Sequence, residues 1–221
     1  MRSSISFFGI ACLGFSIQMS AAPSANLPFD GVAPGHSVTN AVIIRATNNV
    51  AGLQCDVLFD SSRLICTNHP ELVSGPAGVV VDGAPMEPGR YRLLAYSPTG
   101  VALTNDVLCD LVFNATANAA NGQAPLRSST VIFGDTGATA IATGIVNPGL
   151  ILVGDAFGFV PGGGRAQFRA VAGSNYVIQA SADLNKWTSL ATNAATEELV
   201  WTMDTNAPAL AYRFYRTMVV P

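Results

Sequence analysis

From residue 50 onward, hydrophobic and polar positions alternate with a period of two over several short runs. Leu53, Cys55, Val57 and Phe59 share one phase, with Gln54, Asp56 and Leu58 in the other. Val107, Cys109, Leu111 and Phe113 repeat the pattern, with Leu108, Asp110 and Val112 opposite. Side chains alternate across a strand, so each run predicts a strand with one face in a core. Further strands are predicted at Leu64–Cys66, Arg90–Tyr96, 130–133, 139–143 and Gly149–Val153, with turn clusters such as Asp60-Ser61-Ser62 and Ser97-Pro98-Thr99-Gly100 between them. Residues 75–88 read as a loop with a short strand at 79–81. Short strands punctuated by turns describe an all-β sandwich.

The alternation stops near 156–165, where Pro161-Gly162-Gly163-Gly164 predicts a flexible linker. Five more strands are expected beyond it, at 167–170, 176–180, 186–190, 199–202 and 212–218. So short a segment makes a small core, which Trp187, Trp201, Phe214 and Tyr215 are expected to dominate. The N-terminus has a different pattern. Arg2 precedes a mostly apolar stretch, and Ser20-Ala21-Ala22 supplies the small residues that suit signal peptidase. The expected organisation is therefore a signal peptide at 1–22, a sandwich at 23–155, a linker at 156–165 and a small β-module at 166–221. The apolar stretch is shorter than the ~20 residues a membrane span needs, and no later one reaches that length. The mature chain is expected outside the cytoplasm, secreted or in the cell envelope.

Composition narrows the function classes. Only 11% of the residues are charged, the formal net charge is −3, and Lys186 is the only lysine. Such a chain has no basic patch to neutralise several phosphates, so nucleic acid is excluded as a partner. A 49% hydrophobic content argues for a folded chain. The three cysteines of the mature chain, Cys55, Cys66 and Cys109, are an odd number without a C-x-x-C pair. They read as small core residues, with no metal or redox site.

Catalytic patterns are missing from the sequence. His36 and His69 lie in turn-rich segments, and neither is accompanied by a G-x-S-x-G elbow. The aspartates are scattered at strand ends and turns, where side-chain to backbone bonding accounts for them. The glycines at 162–164 lack the Lys-Ser/Thr of a phosphate loop. Asn114-Ala115-Thr116 matches a glycosylation sequon, a pattern common by chance. No cofactor is expected, and the chain reads as no enzyme.

Three segments, taken in order, resemble the cohesin family: Val50 to Leu64 with its alternating strand and aromatic-Asp turn, Asn105 to Phe113, and Gly149 to Val153. The resemblance implies a nine-stranded jelly-roll sandwich. It also implies a partner, since cohesins bind dockerin modules in polysaccharide-degrading assemblies through the outer face of one sheet. Carried onto this chain, the partner-binding positions are Gln54, Asp56, Leu58, Leu108, Asp110 and Val112. Where classical cohesins hold an Asn and an Asp early on the first strand, this chain has Gly52 and Gln54. The segment after residue 165 resembles short fibronectin type III-like modules of secreted bacterial proteins, on Gly173 to Ser181, Asp183 to Trp187 and Arg213 to Arg216.

Two partners follow for the six positions. One is a dockerin-like or other exported protein, because the row mixes Leu58, Leu108 and Val112 with polar residues, and exposed apolar patches mark contact sites. The other is polysaccharide, for which Tyr91 and Tyr96 are the exposed aromatic candidates.

Overall fold

A computed structural model describes residues 22–46, 49–160, 163–196, 199–207 and 213–220. The export signal expected at 1–22 lies outside these, apart from Ala22. In chain order the first twelve strands are β1 (Ser24–Asn26), β2 (Phe29–Val32), β3 (Ser37–Arg45), β4 (Val50–Leu58), β5 (Leu64–Cys66), β6 (Val80–Glu87), β7 (Arg90–Tyr96), β8 (Asp106–Ala115), β9 (Gly122–Asp135), β10 (Ala140–Ile141), β11 (Ile145–Asn147) and β12 (Gly149–Val153). They form two sheets, one ordered β11-β1-β3-β8-β5 and the other β2-β12-β9-β4-β7-β6, with β10 beside β9. Segments of two to four residues raise the count above the nine strands the resemblance implies. Among the described residues no helix is long and apolar enough to cross a membrane.

The alternating runs fill the space between the sheets. Leu53, Cys55 and Val57 of β4, Tyr91, Leu93 and Ala95 of β7, and Cys109, Leu111 and Phe113 of β8 are all buried in one cluster. All three cysteines are free and buried, as expected of small core residues. Residues 75–88, expected as loop, hold β6. It is an edge strand, so it tolerates Pro85 at the point where its register with β7 shifts.

The second sandwich comprises β13 (Ala156–Val160), β14 (Gly163–Arg169), β15 (Asn175–Ser181), β16 (Thr188–Ala194), β17 (Leu199–Asp204) and β18 (Phe214–Val220). Its sheets are ordered β13-β14-β17 and β16-β15-β18. Its core is built from Phe168, Tyr176, Ile178 and Val200 with small alanines. Of the aromatics expected there, only Tyr215 faces inward, half-buried with its hydroxyl donating to Asp204. Trp201 is 57% exposed and Phe214 39%, while Trp187 is stacked beneath the Arg216 guanidinium. Both indoles pack against arginines instead, Trp201 beside Arg165.

The linker expected at 156–165 is a correction. Residues 156–160 pair antiparallel with 163–167, so Gly163 and Gly164 belong to β14 rather than to a tether, while Pro161 and Gly162 lie outside the described residues. The junction is packed as well. β12 is buried on both faces; Leu150 and Leu152 join Phe29 and Ala156 in a separate apolar cluster. The buried Gln167 amide donates to the carbonyls of Leu152 and Gly154 at 3.0 and 2.8 Å. A Cβ at Gly31 would fall 1.1 Å from its oxygen, so a side chain there would displace this amide from the junction.

Candidate functional site

β4 lies between β9 and β7 and is in register with both. Gly134, Gly52, Tyr96 and Val80 form one row across the outer face, and Ile132, Gln54, Leu94 and Asp82 the next. Farther along, Asp56 stands between Ser129 and Arg92, and Leu58 between Arg127 and Arg90. Directly paired residues on antiparallel strands point to the same side, so each row is a band of surface. The first two bands are largely apolar: Tyr96, Ile132 and Val80 are exposed, Leu94 and Gln54 are half-buried, and the exposed carboxylate of Asp82 closes the second band at its β6 end. Between them lie two glycines that the fold does not demand. Neither has a positive φ. A Cβ on Gly134 would meet nothing within 4 Å, and one on Gly52 would make only ordinary contacts, at 3.5 Å to the Ala95 carbonyl and 3.9 Å to Tyr96.

The other two bands carry paired charges: Arg90 and Arg92 share Asp56, and Arg90 also meets Glu87 at 3.4 Å. Arg92 donates through Nε to Asp56 Oδ1 at 2.7 Å, and Arg90 through Nε to Oδ2 at 2.9 Å. Both guanidinium groups fold over the carboxylate, which is wholly buried although its strand position faces outward. The Arg92 hydrogen bonds, reinforced by Arg90 and opposed by burial, lower the Asp56 pKa to about 2. Asp56 therefore offers nothing to a partner; it fixes Arg90 and Arg92, which with the exposed Arg127 surround Leu58.

The six expected positions do not form one face. Gln54, Asp56 and Leu58 belong to the sheet containing β4, whereas Asp110 and Val112 lie on β8 in the opposite sheet. Leu108 is core, only 1% exposed. The cause is a bulge: Val42 pairs with Cys109 but Ile43 with Val107, so Leu108 is the extra residue and turns inward beside Cys109. Asp110 and Val112 are half-buried, and the Asn68 side chain is bonded to their backbone, donating to the Asp110 carbonyl and accepting from the Val112 N–H. Tyr91, expected exposed, is core and donates its hydroxyl to the Asn68 carbonyl; five residues from Tyr96, it necessarily takes the opposite face. Arg90, Arg92, Leu94 and Ile132 are missing from the sequence reading, although the alternation of 90, 92, 94 and 96 against 91, 93 and 95 does mark an outward row.

Elsewhere, the buried Asp204 accepts from Arg213 Nε at 2.8 Å and from the Tyr215 hydroxyl at 3.3 Å, and the histidines stand apart from it. His69 and Asp82 approach at 4.0 Å in the open, and His36 faces the Pro34 carbonyl. An apolar cleft of about 460 Å³ lies between Phe59, Leu64, Ile65, Pro85 and Met86, with Cys66 in its lining. Burial pushes the Cys66 thiol up to about 12, so it is protonated at neutral pH and a poor nucleophile.

No family model and no curated protein matches this sequence. Solved structures do match. The sixth cohesin of scaffoldin B from Acetivibrio cellulolyticus, solved with a Cel5 dockerin, superposes with a TM-score of 0.52 at 23% identity, over 60% of this chain and 99% of that one. The first sandwich has the cohesin fold. The seventh type I cohesin of ScaB from Pseudobacteroides cellulosolvens gives a TM-score of 0.51 at 15% identity, covering 60% of this chain and 92% of its own. A type I cohesin from Clostridium thermocellum, in complex with a dockerin, gives 0.50 at 12% identity, over 60% and 99% of the two chains. The extent of these matches corresponds to one cohesin-like sandwich and leaves the rest of the chain without a counterpart.

Proposed function

We propose that this chain is an exported, non-catalytic docking module whose β9-β4-β7-β6 face receives another protein, of dockerin type, in a polysaccharide-degrading setting. The observation that carries the reading is the two-part face. Its apolar half has Tyr96, Ile132, Val80 and Leu94 around Gly52 and Gly134, and a strand glycine without a steric or dihedral reason suits a close-approaching partner. Its charged half holds Arg90 and Arg92, paired with Asp56 and Glu87, beside the exposed Arg127, which suits a partner whose apolar ridge ends in an acidic residue. The protonated Cys66 thiol and the exposed, widely spaced histidines support a binding role over catalysis.

Capture from the secreted proteins of the source organism tests this. Wild type should enrich a partner that Ile132→Arg and Leu94→Arg variants of unchanged melting temperature fail to hold. Equal capture by all three would sink the reading. Direct polysaccharide binding is the second reading, supported by Tyr96, which is 48% exposed. Retarded migration in soluble glycan gels, abolished by Tyr96→Ala, would favour it instead.

A further inference from the structure

Among the described residues, β18 is the outermost strand of its sheet, and its inward side chains are incompletely covered. β15 buries Tyr176, Ile178 and Ala180 between the sheets. Their partners on β18 are Val219, Thr217 and Tyr215, which therefore point to the same inner side. Yet Val219 is 66% exposed, Thr217 is exposed and Tyr215 is only half-buried. On the outer side Phe214 and Met218 are exposed too, and Arg216 is already engaged, bonded to Gln179 and stacked on Trp187.

Among the described residues, nothing blunts the β18 edge. Long, flat, apolar edges invite pairing with another chain, and proteins normally blunt them. Among the described residues the other edges carry such devices. β5 and β11 have three residues each, and β6 carries Pro85 and a register shift. The β2 edge is covered by Arg165, which donates to the Phe29 carbonyl. β13 lies against β12 and β9, and Asn193 donates to the Trp201 carbonyl on β17. β16 is polar, and its pairing is bulged at Ile178/Gln179. β18 has seven residues, Phe-Tyr-Arg-Thr-Met-Val-Val, paired with β15 without a shift.

We propose that β18 pairs antiparallel with β18 of a second copy, about a two-fold axis at Thr217, joining two three-stranded sheets into one. The strand is complementary to itself in that register. Tyr215 falls opposite Val219 and Phe214 opposite Val220, both favourable aromatic–aliphatic pairs. The single charge, Arg216, falls opposite Met218, so no like charges meet. Val219 and Tyr215 of the two copies then cover each other at the open end of the core. A closed two-fold contact of this kind uses the same patch twice and leaves neither β18 edge free.

The mass of the purified secreted chain in sedimentation equilibrium tests this. Wild type should behave as a dimer at micromolar concentration. Thr217→Lys and Thr217→Glu should each be monomeric, because the axis sets like charges face to face, and an equimolar mixture should return to the dimer mass. Recovery on mixing also shows that both variants are folded. A wild type that stays monomeric, as it would if a foreign strand fills this edge, overturns the proposal. So does a dimer that either variant leaves intact, or a mixture that stays monomeric. The outcome is independent of the docking face, since Leu94→Arg should leave the dimer unchanged.

Discussion

Two stretches of this chain are nearly the same string and have opposite fates. Leu53-Gln54-Cys55-Asp56-Val57-Leu58-Phe59 and Val107-Leu108-Cys109-Asp110-Leu111-Val112-Phe113 share their cysteine, aspartate and phenylalanine positions. Each sends its cysteine and phenylalanine phase toward the core, yet β4 and β8 lie in different sheets. Asp56 is buried under two arginines, whereas Asp110 is half-exposed and engages Asn68 through its backbone. Leu58 keeps its outward place, whereas the bulge turns Leu108 inward. The strand pattern is local, but the environment of its polar phase is set by neighbours from elsewhere in the chain: β7 for one, the Asn68 segment for the other.

The leucines give the widest separation. Leu108→Ala removes a fully buried side chain beside the bulge and should cost about 3 kcal/mol of unfolding free energy. Leu58→Ala, half-buried between arginines, should cost under about 1 kcal/mol. Chemical denaturation of both variants measures the difference; equal losses would mean that the bulge does not bury Leu108.

The aspartates separate next. The Asp56 pKa is lowered in the folded state to about 2, so its contribution is full above the unfolded value near 4 and is lost as pH falls from about 4 to 2. The shift corresponds to about 2 kcal/mol. Asp56→Asn should destabilise the protein by about that amount at pH 7 and flatten the acid limb of stability against pH. Asp110→Asn should change stability by less than about 0.5 kcal/mol. A flat acid limb in the wild type would remove Asp56 as its cause.

The Asn68 clamp gives a smaller effect. Its side chain closes two hydrogen bonds onto β8, at 3.0 Å to the Asp110 carbonyl and 2.9 Å from the Val112 N–H. Asn68→Ala should cost about 1 to 2 kcal/mol. Hydrogen exchange should show the Val112 amide losing protection while amides on β4 keep theirs. Uniform loss along both strands would mean that Asn68 acts on the whole sandwich rather than on this edge.

Period-two alternation exposes both strands, their core phases and the burial of all three cysteines, because these depend on residues next to one another. The sheet to which each strand belongs is not written in its own residues. It follows from pairings such as Asp56 with Arg92 and Asn40 with Leu111, which is why residues from opposite faces were expected together. A single extra residue reversed Leu108, and alternation cannot register a bulge that only the partner strand reveals. The glycines at 162–164 read as a tether because composition reports permissiveness, while the strand that takes up Gly163 and Gly164 depends on β14 pairing with β13 and β17. The cohesin resemblance is legible for a related reason: it rests on the order of several strands, which keeps long-range information that one strand lacks.

The smallest expected effect on stability bears most directly on function. Gly52 sits in the first apolar band, opposite Tyr96 and Gly134, and a Cβ there meets only ordinary contacts. Alanine in a strand is less costly than glycine by roughly 0.5–1 kcal/mol, so Gly52→Ala should leave the melting temperature unchanged or slightly raised. If a partner's backbone approaches the floor between Tyr96 and Ile132, the same methyl should weaken its binding. The equivalent test on β8, Val112→Ala, should leave binding unaffected because that strand faces away. Titration calorimetry with the captured partner reads both variants. A Gly52→Ala variant that binds as wild type would show that the glycine floor is not where the partner sits.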